Sequence, residues 1–136
     1  MTTPTEGLAG YTIQSVLHEQ AVRQPDAPAI WCEDRRTTFR ELDERSNQIA
    51  RALRAEGLVP GDRVAFMGKN SEFYLEMLYG CAKARLIMMS INYRLAEPEV
   101  RFILQDSGSR LFVTDVAMSG LAHESARGTD AQRILV

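Results

Sequence analysis

Four short apolar runs dominate the second half of the chain: Arg63-Val64-Ala65-Phe66-Met67, Leu86-Ile87-Met88-Met89, Arg110-Leu111-Phe112-Val113-Thr114 and Arg133-Ile134-Leu135-Val136. A helix-length segment with apolar residues at helical spacing separates each from the next. Strands that alternate with helices in this way are joined by right-handed crossovers, which build a parallel sheet with helices on both faces. The run from Leu86 to Leu95 is the most informative. It is apolar on both pleat faces as far as Met89, which suits a central, covered strand. It then turns polar at the carboxyl edge, where open α/β sheets bind ligands. The expectation is a central strand with Leu86–Met89 in the core.

The first half prepares for this sheet. Residues 1–10 lack periodicity and read as a flexible arm. Thr12 can cap a helix with Ile13, Val16, Leu17 and Ala21 on its apolar stripe, which Pro25 ends. Ala29-Ile30-Trp31-Cys32, a Glu33-Asp34 turn and Arg36-Thr37-Thr38 read as a hairpin. Thr38-Phe39-Arg40-Glu41 has the form of a capping box. Phe39, Leu42, Ser46, Ile49 and Leu53 then follow at helical spacing, and Gly57 is placed to stop that helix in a left-handed conformation. The charges of this helix read as a solvated face. Asn70 or Ser71 is placed to cap the helix carrying Phe73, Tyr74, Met77, Leu78 and Cys81. Pro98 fits the first turn of the next helix, and Gly108 its end. The fold class is therefore α/β, a layered, doubly wound βαβ sheet preceded by a helix and hairpin, with residues 11–136 as one unit.

Composition narrows the function. With 136 residues, 45% hydrophobic content and a net charge of -2, the chain has the makings of a core and no basic footprint for nucleic acid. No run is long enough to span a bilayer, and the first residues do not have the form of a signal peptide. Cys32 and Cys81, the only cysteines, sit in apolar segments and read as buried, reduced thiols, consistent with a cytoplasmic location.

The motifs that would mark common α/β chemistries are absent. There is no Gly-x-Gly-x-x-Gly, no phosphate loop with glycine, lysine and hydroxyl at fixed spacing, and no acidic cluster at the end of the Arg63–Met67 strand. His18 and His123 have no ligand or triad spacing, and Asp106 and Asp115 are explained by capping and turns. No residue is assigned as catalytic or as a metal ligand. Two places remain as binding candidates. Lys69-Asn70-Ser71 lies at a strand end and a helix start, where anions are favoured, although a plain N-cap accounts for it. In Asn92-Tyr93-Arg94 the arginine could grip a phosphate in bidentate fashion, or else pair locally with Glu97 or Glu99.

A series of segments carries a resemblance. Thr38-Phe39-Arg40-Glu41-Leu42, Gly57-Leu58-Val59-Pro60-Gly61-Asp62-Arg63-Val64-Ala65, Asn70-Ser71, Gly80-Cys81-Ala82-Lys83-Ala84 and Ile91-Asn92-Tyr93-Arg94-Leu95 occur in that order. Together, over roughly residues 11–115, they resemble the amino-terminal part of the AMP-forming acyl-CoA synthetases, a superfamily that includes luciferases and peptide-synthetase adenylation domains. The resemblance implies a parent enzyme that uses ATP and magnesium to turn a carboxylic acid, fatty or aromatic, into an acyl-adenylate, then forms a thioester with coenzyme A. The family's phosphate loop, Thr-Glu motif, adenosine-binding aspartate and carboxyl-terminal lysine match nothing here, so these 136 residues are expected to be an inactive fragment cut before the phosphate loop.

In some members the arginine matching Arg94 lies near the nucleotide part of coenzyme A, which makes Arg94 the one cofactor-binding candidate. Two positions depart from the family pattern: Arg85 stands where glycine is common, with a possible effect on the helix exit, and Ser90 where proline is common. The implied partners are the rest of the parent enzyme and a small carboxylic acid. Bare sheet faces and an unpaired edge also predict self-association. Two alternatives remain open: an interaction module with the same fold, and a peptide-synthetase domain whose acceptor is a carrier protein.

Overall fold

The computed structural model describes residues 10–131 and 133–136, so the arm expected over residues 1–10 lies, but for Gly10, outside the described residues. Helix α1 (Ile13–Arg23) is followed by the hairpin β1 (Pro28–Cys32) and β2 (Arg35–Thr38), and by the long helix α2 (Phe39–Ala55). The alternating part comprises β3 (Arg63–Met67), α3 (Glu72–Ala84), β4 (Ile87–Ile91), α4 (Glu97–Ser107), β5 (Leu111–Thr114), a single 3-10 turn, α5 (Ser119–Ala126) and β6 (Arg133–Leu135). All four strands of the main sheet are parallel, in the order β4-β3-β5-β6.

Local chemistry sets these boundaries. At the start of α2, Thr38 Oγ1 accepts from the Glu41 amide at 3.2 Å, while Glu41 Oε2 accepts from the Thr38 amide at 2.8 Å. The Thr38 amide bond first, and then a bond that Thr38 Oγ1 donates to the same Oε2 at 3.1 Å, hold the Glu41 carboxyl below its ordinary value. Gly57 stops the helix with φ +82°. The exit of α3 is the Schellman arrangement, in which Leu86 N–H reaches the Cys81 carbonyl at 2.8 Å and Arg85 N–H the Ala82 carbonyl at 3.0 Å. Its left-handed position is filled by Arg85 itself, at φ 63°. The arginine therefore leaves the helix exit unaltered and carries the backbone strain that a glycine would avoid.

Pleating divides the core in two. Val64 and Phe66 of β3 pack with Ala50, Leu53, Met77, Cys81 and Ala84 of α2 and α3. Ala65 and Met67 point the other way, into a cluster with Val100, Leu104, Phe112, Ala122 and Ala126 under α4 and α5. The central strands are β3 and β5. The run expected to be central, β4, is instead an edge strand: Ile87 is 45% exposed, Met88 and Met89 are half-buried, and Leu86 alone of Leu86–Met89 is buried. An apolar run reports that helices cover both faces of a strand. It carries no information on whether a neighbour lies alongside.

Other expectations shift in the same direction. Of the α1 stripe only Leu17 is buried, and Ile13 and Val16 face solvent. Cys32 is half-buried because it lies on the small hairpin and not in the main core, whereas Cys81 is buried and its thiol is pushed up to about 12 by desolvation. The charged face of α2 is partly an interface with α3. Asp43, 8% exposed, accepts from Lys83 Nζ at 2.7 Å, and Arg45 reaches Glu76 at 3.0 Å. The exposed His18 ring stands 3.4 Å from the same Asp43 carboxylate.

Candidate functional site

The chain leaves β3 for β4 on one side and later returns to β5 on the other, so α3 and α4 lie on opposite faces and the strand order reverses at β3. In open α/β sheets the carboxyl ends at such a switch form the binding crevice. Here the floor between β3 and β5 is closed by protein. Thr114 Oγ1 donates to the Met67 carbonyl at 2.9 Å. A methyl placed on Gly68 would lie 3.1 Å from the Phe66 ring and 3.5 Å from Asp115 Oδ2. Asp115 makes no side-chain cap, contrary to the expectation from its position. Its Oδ1 is buried without a partner, while its carbonyl accepts the turn bond from Met118.

The open space lies one strand over, between the ends of β3 and β4. A cleft of about 480 Å³ is lined by Gly68 and Asn70 after β3, Tyr74 of α3, and Ser90, Asn92 and Arg94 at the end of β4. The two candidate stretches thus meet in one place, through Asn70 on one side and Asn92 to Arg94 on the other. Lys69 is exposed beside the cleft and does not line it. Ser71 takes the N-cap position with extended backbone but makes no side-chain cap bond. In its place Glu72 bonds its own amide, the main reason its carboxyl sits below its ordinary value, while Arg35 of the hairpin closes on it at 3.0 Å. That carboxylate already answers the positive start of α3, which weakens the reading of Lys69-Asn70-Ser71 as an anion site.

Arg94 is differently placed. Asn92 Oδ1 accepts its amide at 3.0 Å in a side-chain-closed turn, and its guanidinium lies 5.5 Å from the Tyr93 ring centroid. The local pairing considered for it does not form. Glu97 is held by Arg101, and Glu99 folds back to accept the Ala96 amide at 2.8 Å. Among the described residues no carboxylate lies within ion-pair distance of Arg94. The cleft also contains a hydroxyl pair, Tyr74 Oη and Ser90 Oγ at 2.9 Å. The sequence had pointed to Tyr74 only as core, and the sole signal for the pair was Ser90 standing where proline is common. His123 remains outside, bonded in α5 to the Ser119 carbonyl at 2.7 Å. Among the described residues no group of three or more His, Cys, Asp or Glu could hold a metal ion, and no helix is long and apolar enough to cross a membrane.

The chain as a whole is similar to known proteins. Over 91 residues the chain is 54% identical to the fatty acid–[acyl-carrier-protein] ligase ScoC of Streptomyces coeruleorubidus, covering 67% of this chain and 18% of that protein. It is 35% identical over 108 residues to a feruloyl-CoA synthase of an Amycolatopsis species, covering 79% of this chain and 21% of the relative. In three dimensions it superposes on a Mycobacterium tuberculosis fatty acyl CoA synthetase with a TM-score of 0.83 and 31% identity, over 90% of this chain and 26% of the other. The chain thus spans about a fifth of the length of these curated relatives. The sequence profile described as "AMP-binding enzyme" matches residues 17–135, and the chain belongs to that family of adenylate-forming enzymes.

Proposed function

We infer that residues 11–136 form the amino-terminal α/β unit of a cytoplasmic acid–thiol ligase, and that Arg94 holds a phosphate of the thiol acceptor. In the parent reaction a carboxylate oxygen attacks the α-phosphorus of ATP and pyrophosphate leaves. The acceptor's sulfur then attacks the acyl carbon, AMP departs, and the thiol proton is lost to solvent or a base. Magnesium, when bound with ATP, would neutralise the phosphates during the first step, and this unit contributes to the second. The observation that carries the reading is the Arg94 side chain, free of carboxylate partners among the described residues and lining an open cleft at the carboxyl edge. Its planar fork suits a phosphate, and the Tyr74–Ser90 pair has one hydroxyl proton left to donate beside it.

The 54% identity to an acyl-carrier-protein ligase favours a second acceptor, a carrier-bound phosphopantetheine, over free coenzyme A. The pantetheine phosphate is common to both. Titration calorimetry of the chain and of Arg94→Ala separates them, with coenzyme A in one arm and a phosphopantetheinylated carrier protein in the other. The expected result is binding in one arm that weakens at least ten-fold in Arg94→Ala; equal affinity in the variant removes the role. Carboxylate-dependent ATP–pyrophosphate exchange by the 136 residues is expected to be nil, and measurable exchange would overturn the reading of this unit as inactive alone.

A further inference from the structure

The edge of β4 follows a simple hydrogen-bond parity. Ile87 N–H donates to the Asp62 carbonyl at 2.9 Å, and Ile87 to Ile91 run in register with Arg63 to Met67. In a parallel ladder a residue directs its N–H and C=O to the same side, and the side alternates along the strand. Ile87, Met89 and Ile91 therefore bond β3, while Met88 and Ser90 turn both backbone groups outward, where among the described residues no strand lies. Those outward groups repeat about every 6.6 Å, twice the rise per residue. This accounts for the tolerance of proline at position 90: its missing amide would cost no bond within the sheet, and proline at an outward position blunts an edge. Serine restores the donor.

We propose that this edge pairs with the same edge of a second copy of the chain, antiparallel about a two-fold axis at Met89, to make a continuous sheet. Met88 of one copy then lies opposite Ser90 of the other, and each such pair exchanges two N–H···O bonds, four in all. The edge suits a copy of itself. Ile87–Ile91 carries no charge, the 45% exposed Ile87 side chain lies opposite the already buried Ile91 of the copy, and the two half-buried Met89 side chains meet at the axis. The flanking Arg85 and Arg94 fall opposite Tyr93 and Ala84, so like charges do not face each other. The sheet's other edge, β6, is three residues long and carries Arg133, bound to Glu56, which makes it the weaker site for the self-association expected from the sequence. A five-residue ladder buries little area, so the dimer is weak and concentration-dependent.

The test is sedimentation equilibrium over a concentration series up to about 1 mM, with far-UV circular dichroism to confirm folding. The weight-average mass of the native chain and of Ser90→Ala, which loses the Tyr74 bond but keeps the amide, should rise toward twice the monomer value. Ser90→Pro removes one donor from each pair and should remain a monomer, as should Ile87→Lys, a change at an exposed position. A native chain that stays monomeric overturns the proposal, and so does a folded Ser90→Pro that associates like the native chain. Should Ser90→Pro fail to fold, Ile87→Lys decides, and unchanged association overturns. The proposal is independent of the cleft's ligand, since Arg94→Ala leaves the paired groups in place.

Discussion

Gly80 sits in the middle of α3, where helix propensity alone would recommend alanine by about 1 kcal/mol. The packing argues the other way. A methyl carbon built at Gly80 would lie 2.4 Å from Ile49 Cγ2, 2.8 Å from Ile49 Cβ and 3.4 Å from the Ser46 carbonyl oxygen. Carbon atoms are most comfortable at about 3.5–4.0 Å, so the Cγ2 contact is short by about 1.1–1.6 Å and the Cβ contact by about 0.7–1.2 Å. Rotating Ile49 could relieve the Cγ2 contact, though a β-branched side chain in a helix has essentially one rotamer. Rotation does nothing for Cβ, which is fixed to the backbone of α2. Relief therefore requires α2 and α3 to separate along their crossing, against the Lys83–Asp43 and Arg45–Glu76 pairs that tie them. Overpacking of this kind costs about 1–3 kcal/mol, and a clash against so rigid a partner falls toward the upper end. After the propensity gain, Gly80→Ala should destabilise the fold by about 1–2 kcal/mol, equivalent to a fall of roughly 3–10 °C in Tm for a domain of this size. Urea unfolding followed by circular dichroism should show a lower midpoint at unchanged slope. Adding Ile49→Ala should recover part of the loss, with a coupling above about 0.5 kcal/mol in the double-mutant cycle. A Gly80→Ala variant as stable as the parent, or no coupling to Ile49, would refute the reasoning.

Three further outcomes are expected. Arg85→Gly should raise stability by about 0.5–1 kcal/mol, because the residue at φ 63° loses its side-chain clash with the following carbonyl; a lower Tm would show that the arginine side chain contributes more than its strain costs. Burial alone would raise the Asp43 carboxyl, but Lys83 and His18 outweigh it and the net value lies below the ordinary 3.8. A depressed carboxyl contributes stability that is present above its unfolded value and lost as pH falls through the folded one. The chain should therefore weaken below about pH 4 with a slope that Asp43→Asn reduces, and an unchanged acid limb in that variant would count against the pair. Cys32 should react with a maleimide at pH 8 under native conditions while Cys81, buried and with its thiol raised to about 12, reacts only on unfolding; modification of one cysteine per chain, located by peptide mapping, checks this.

The alternation of strands and helices was legible because each element's pattern reports its own two faces. Gly57, Gly108 and the Thr38–Glu41 box mark boundaries through backbone and side-chain chemistry that needs no distant partner, and all three form as read. Asp43 and Lys83 were not legible as a pair. They are forty positions apart, and each looks like an ordinary charge on the polar side of its helix until the crossing at Gly80 brings α2 and α3 together. The cleft divides along the same line. Asn92 and Arg94 could be found from their place after a strand. That Arg94 has no carboxylate partner among the described residues, in contrast, depends on Glu97 and Glu99 being engaged by Arg101 and the Ala96 amide.

Lateral position in the sheet is where reading from sequence fails for a physical reason. Side chains leave a strand above and below the sheet, so a hydrophobic pattern records the layers above and below and nothing in the plane. In the plane the contacts are backbone N–H and C=O groups, which every residue but proline carries alike. Only a residue that alters the backbone's own donors can mark an edge, and in this chain that position is 90. Proline there would have signalled an edge, because a central strand cannot spare the amide. With Ser90 the mark is gone, and the apolar run from Leu86 to Met89 looks like the middle of a sheet although it lies at its margin. The same substitution that hides the edge from the sequence leaves its donors unblocked in the folded protein.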